Sequence, residues 1–172
     1  MDGGGGALRP GNVVMPELDL LRLAHQTIFG GIAAAGFGVL FNVRLSSLGW
    51  CLIAGALGLL VRDVASQVGW WFESATFGAA CVVGFVAHAS QGRATLPPSA
   101  LAVCGCIPMV PGSFAAKLVL GLLALTAPEV SDVSGQLEEV VRHGLRVVFT
   151  VGALGAGIAL STGLLSGRLG RR

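Results

Sequence analysis

The sequence predicts an all-α fold, a polytopic membrane bundle of about five spanning helices with the fourth span broken. Three observations carry this. Apolar residues make up 53% of the 172-residue chain and charged residues only 12%, about half the charged share of an ordinary water-soluble domain. The apolar residues collect into stretches near the roughly 20 residues that a spanning helix requires. Finally, the run Ile107-Pro108-Met109-Val110-Pro111-Gly112-Ser113 sets two prolines and a glycine inside one of those stretches. Each proline removes an N–H donor and denies a carbonyl its partner, and hydrocarbon supplies no water in exchange. Such a break is tolerated where protein or a wet cavity surrounds it, which makes it a candidate binding site.

The elements follow in order. Residues 1–17 open with Met1-Asp2 and a glycine run and contain Pro10 and Pro16, the composition of a flexible lead-in. An acidic, glycine-rich start with no basic n-region is not the pattern of a secretory signal. The bundle is expected over residues 18–167. Hydropathy places its spans at about Leu23–Val43, Ser47–Gln67, Trp71–Ser90, the broken Ser99–Thr126, and Val147–Leu165. Between the last two, Pro128–His143 holds Glu129, Asp132, Glu138 and Glu139 and reads as an aqueous loop. Trp50, Trp70 and Trp71 fall at span edges, where an aromatic belt places them. Residues 168–172 form a basic tail at the headgroups.

Small residues recur at helical spacing: Gly30, Ala34 and Gly38; Ala54 and Gly58; Ala80 and Gly84; Gly152, Ala156, Ala159 and Gly163. Stripes of this kind let helix backbones approach closely. Five short helices can hardly shield all of them, so a larger assembly is expected, with a second copy or another subunit.

Charge excludes some classes. A net charge of +2 with no basic block beyond Arg168, Arg171 and Arg172 points to no nucleic-acid partner. Cys51, Cys81, Cys104 and Cys106 lie in apolar segments as small hydrophobes, and Cys104-Gly105-Cys106 lacks metal-ligand spacing and companion histidines. Neither a metal nor another cofactor is expected. Five crossings put five arginines on each side, with all nine acidic residues on the side of Arg9, Arg22, Arg62, Arg142 and Arg146. That tips the orientation towards a cytoplasmic C-terminus.

Polar residues within the spans supply the candidate chemistry. Pro108 and Pro111 make the break. Gly112 and Ser113 begin its second half, where free N–H groups and the positive end of the helix dipole favour an anion. Ser99–Ile107 makes a first half of about 14 Å, roughly half the hydrocarbon thickness. Lys117 follows Ser113 by four residues and shares its face; a lysine at depth costs about 2.5–3.5 kcal/mol unless it is paired or faces a cavity. Either an ion pair or an anionic substrate satisfies that requirement. Arg62 has Asp63 and Glu73 as candidate partners across a short turn; a deeper Glu73 would be a candidate proton carrier, and the imidazole of His88 is a candidate proton relay. Asn42 and Arg44 end the first span.

Phe41-Asn42-Val43, Trp50-Cys51, Arg62, Glu73, Thr76-Phe77 and above all Ile107-Pro108-Met109-Val110-Pro111-Gly112 resemble the threonine/serine exporter family. The chain is similar to its small-subunit type, which matches the C-terminal half of the single-chain exporters and includes the small subunit of a bacterial succinate exporter. Lys117 is outside the pattern that carries the resemblance. The resemblance implies a bacterial inner-membrane exporter of small carboxylate-bearing metabolites that works with a separate large subunit. An inverted pairing of two five-span halves would follow. With no nucleotide-binding motif, an ion or substrate gradient would drive export. A non-transporting membrane scaffold is the competing class. Catalysis is the third, because no Ser/His, HExxH or paired-carboxylate pattern occurs.

Overall fold

Left-handed residues cut the first half of the chain into hairpins. The structure, a computed structural model, describes residues 20–126 and 133–169. Helix α1 (Leu20–Leu40) ends where Asn42 takes φ +56°. There the Val43 N–H bonds the Gly38 carbonyl at 2.9 Å and the Asn42 N–H bonds Val39 at 2.9 Å, a Schellman closure. Helix α2 (Leu45–Gln67) ends in the same way at Gly69, φ +95°, with Trp70 N–H to Ala65 at 3.0 Å and Gly69 N–H to Ser66 at 3.2 Å. Helix α3 (Phe72–Ala89) then returns. The link to the next helix is fastened to the start of α2, where buried Ser47 Oγ accepts the Thr95 N–H at 3.0 Å.

Pro98 starts α4 (Pro98–Cys106) within its first turn, where a missing N–H costs nothing. A 3-10 turn (Ile107–Met109) extends it, and the chain bends by 62° into α5 (Gly112–Leu125). Helix α6 (Val133–Leu169) completes the fold. Among the described residues every regular element is helical. Four helices (α1, α2, α3 and α6) are long and apolar enough to cross a membrane, and five spans result if the bent pair counts as one. This is the expected all-α bundle with its broken fourth span.

The core lies between α2, α3 and α4. Cys51 and Ala54 of α2, Ala79 and Val83 of α3, and Leu101, Ala102 and Cys104 of α4 belong to one buried cluster with Met109. Most of α4 is buried, as an apolar helix without a polar face must be. Small residues make this closeness possible. A Cβ on Gly105 would meet Val83 Cγ1 at 2.8 Å and Ala54 Cβ at 2.9 Å; one on Gly58 would meet Val83 Cγ2 at 2.7 Å and Met109 Cε at 2.9 Å. The stripes of α1, α2 and α3 are thus spent inside the chain. That of α6 is not: Gly152, Ala156, Ala159 and Gly163 are exposed, and α6 meets α3 through Leu154, Gly157 and Ser161 instead.

Two boundaries differ from the sequence reading. The last helix begins at Val133, not Val147, so most of the expected Pro128–His143 loop is helix. Its charges are spaced for a helix: Glu138 pairs with Arg142 at 2.5 Å and Glu139 with His143 at 3.3 Å, both four residues apart. A hydropathy window reads those charges as loop because it detects the membrane and not the helix. At 37 residues α6 is about 56 Å long, well beyond the roughly 30 Å of hydrocarbon. The break also lies farther along than half a span. Helix α4 starts beside Ser47 and the break reaches Arg62, which is fifteen residues, or about 22 Å, along α2. The lead-in 1–17 and residues 127–132 lie outside the described residues, as do 170–172 of the basic tail.

Candidate functional site at the helix break

The break is built by two short turns and one guanidinium. The Val110 N–H returns to the Ile107 carbonyl at 3.0 Å, closing the 3-10 turn. Pro111 (φ −77°, ψ 62°) centres an inverse γ-turn in which the Gly112 N–H bonds the Val110 carbonyl at 2.8 Å. The Pro111 carbonyl accepts the Ala115 N–H at 3.0 Å and so begins α5. The Met109 carbonyl remains, and Arg62 of α2 donates to it through Nη1 at 3.4 Å. The protein itself therefore supplies partners for the Ile107, Val110, Pro111 and Met109 carbonyls at the break, as a low-dielectric setting favours.

Arg62 is largely buried, its side chain 16% exposed, and its Nε lies 3.6 Å from Asp63 Oδ1. Its guanidinium sits 5.6 Å from the centroid of Phe72, at the start of α3. Phe72 meets Phe114, in the first turn of α5, edge to face at 6.3 Å. Arg146 of α6 lies 5.5 Å from the Phe72 centroid and 4.9 Å from that of Phe114, while its Nε stands 3.9 Å from Glu73 Oε1. Four helices thus converge on two aromatic rings and two guanidiniums. Cation–π contact and ion pairing hold the arginines without filling their donors.

The candidates named from sequence divide into three places. Pro108, Pro111, Gly112 and Arg62 stand at the break itself, with Arg62 on Asp63 and Glu73 on Arg146; the alternative pairing of Arg62 with Glu73 does not form. Gly112 is not a free donor, because the γ-turn uses its N–H. Ser113 and Lys117 are exposed on α5. Lys117 lies beside the charged end of α6, in a groove of about 310 Å³ shared with Gln136, Glu139, Val140 and His143. Among the described residues it makes no ion pair. His143 links groove and break, its ring 5.7 Å from that of Phe114. His88 is half-buried near the other end of α3, sixteen residues or about 24 Å from Phe72, and belongs to neither.

Sequence reasoning missed Phe72, Phe114 and Arg146. Phe114 adjoins Ser113 and so was within reach of the motif. Arg146 followed a stretch that hydropathy reads as loop; the four-residue spacing of Glu138 with Arg142 and of Glu139 with His143 was the local signal that α6 begins before it.

Comparison with known proteins fits this geometry. Residues 26–164 match the family model described as "Threonine/Serine exporter, ThrE". An uncharacterized protein of Haemophilus influenzae is 33% identical over 141 residues, covering 82% of this chain and 47% of that relative. The chain thus spans about half the relative's length. No solved structure matches. With the family pattern running from the first helix to the last and through the break, the chain belongs to the threonine/serine exporter family.

Proposed function

We propose that this chain is the small subunit of a secondary exporter for small carboxylate-bearing metabolites, a succinate-like dicarboxylate or threonine and serine, and works with a separate large subunit. The setting is a bacterial inner membrane with the C-terminus cytoplasmic. Family membership makes transport of small metabolites the general role. The observation that carries the finer reading is the break at Pro108–Ser113 with Arg62 buried against it. A broken helix lined by cations receives an anion, and bending at the two prolines lets the site face either side in turn. Lys117 adds positive charge along α5, and Ser113 adds an exposed hydroxyl one turn before it.

The test is efflux of preloaded labelled succinate, threonine and serine from cells expressing this chain alone, with a large-subunit companion, or with that companion and Pro111→Ala or Lys117→Ala. Companion-dependent efflux of one compound is expected, lowered about tenfold or more by each substitution in a complex that still assembles. The exposed positions of Ser113 and Lys117 favour a second reading, a scaffold whose companion carries the substrate site. Efflux unchanged by both substitutions and by Arg62→Gln would establish that reading.

A further inference from the structure

We infer that Arg62 and Asp63 form an exchangeable ion pair, in which Asp63 occupies a carboxylate-binding position on Arg62 that the substrate's carboxylate takes over during transport. The inference rests on the exporter reading and names the residue that grips the substrate.

The pair is buried but poorly made. Arg62 has five N–H donors, yet among the described residues it engages one carboxylate oxygen at 3.6 Å and one carbonyl at 3.4 Å, both long for charge-assisted bonds. Asp63 is 13% exposed, and its second oxygen, Oδ2, is buried with no hydrogen-bond partner among the described residues. A structural ion pair in such a place needs good geometry and full hydrogen bonding to offset desolvation. This pair has neither, so a better-fitting carboxylate can compete for the guanidinium. A free carboxylate is able to approach Arg62 with both oxygens in the parallel fork that Asp63, tethered one residue away, does not reach.

Asp63 also has somewhere to go. It lines a polar cavity of about 210 Å³ with Arg22 and Gln26 of α1 and Ser66 and Gln67 of α2. Turning into that cavity places the released carboxylate among polar side chains, so exchange leaves no charge stranded in apolar surroundings. Exchange also acts on the helix. The guanidinium that receives substrate is the one tied to the Met109 carbonyl, so substrate binding loosens the tie that holds the break to α2. Recognition and bending are then one event at one side chain.

The experiment measures equilibrium binding of labelled succinate and of labelled serine to the purified full chain with its companion, for wild type, Arg62→Lys, Arg62→Gln and Asp63→Asn. Arg62→Gln is expected to lower affinity at least tenfold and Arg62→Lys to lower it less. Asp63→Asn removes the internal competitor and is expected to tighten binding severalfold. A purely structural pair predicts the opposite sign for Asp63→Asn. If Arg62→Gln fails to assemble, Asp63→Asn decides alone: tightened binding supports the exchange, and unchanged or weakened binding overturns it. Binding within twofold of wild type in Arg62→Gln overturns the exchange and leaves the exporter reading standing. Wild-type complex that binds neither compound overturns both.

Discussion

At the scale of single residues, two positions carry a conformational and a steric demand that few residue types meet. Asn42 sits at φ +56° to close α1. Asparagine tolerates that region through local hydrogen bonding, whereas a β-branched residue meets its own backbone. Asn42→Gly should therefore leave stability within about 0.5 kcal/mol, and Asn42→Val should cost about 1–2 kcal/mol, as thermal unfolding in detergent would register. Gly58 makes a different demand. A Cβ there runs into Met109, whose carbonyl is held by Arg62. Gly58→Val should cost about 1–3 kcal/mol by overpacking and also displace the break. Lower stability with unaltered efflux per assembled complex would separate packing from the break and count against that link.

At the scale of elements, α4, the 3-10 turn and α5 act as one jointed rod. Pro108 and Pro111 keep it jointed, since neither can donate to the carbonyl four residues back. Replacing both by alanine restores those donors and should straighten the rod from its 62° bend. Spin labels on Val103→Cys and Leu120→Cys, both at exposed positions, should move apart, and an unchanged separation would mean that α6 and not the prolines fixes the angle. That alternative is physical, because α5 buries no residue fully and its main neighbour is α6. The joint was legible in sequence because its cause is local: two prolines and a glycine within five residues. Its depth was not. The level of the break is set by Ser47 gripping Thr95 and by Arg62 reaching Met109, each across nearly fifty residues, and no local pattern encodes such pairings. The early start of α6 escaped for a related reason. Glu138, Glu139, Arg142 and His143 look like loop charges until their four-residue spacing is weighed as helix support.

At the scale of the whole molecule, the use of small residues is uneven. Gly30, Ala34 and Gly38 are buried on α2, and Ala80 and Gly84 face α6, yet among the described residues Gly152, Ala156, Ala159 and Gly163 are left exposed. Lipid tails give no reason to keep four small residues in one row, whereas a closely packed helix does. The relative's length is about twice what this chain matches, which leaves room in the family for a second set of helices to lie there. Gly152→Leu with Gly163→Leu should accordingly leave the unfolding of the isolated chain within about 0.5 kcal/mol, because no neighbour of its own is displaced. Gly30→Leu, against Leu59 of α2, should destabilise the isolated chain by about 1–3 kcal/mol. In cells the order reverses in kind: on the proposal that a companion subunit packs there, the α6 pair should abolish its co-purification while the chain itself accumulates normally. Retained co-purification would remove α6 from the companion interface and assign its open row to lipid.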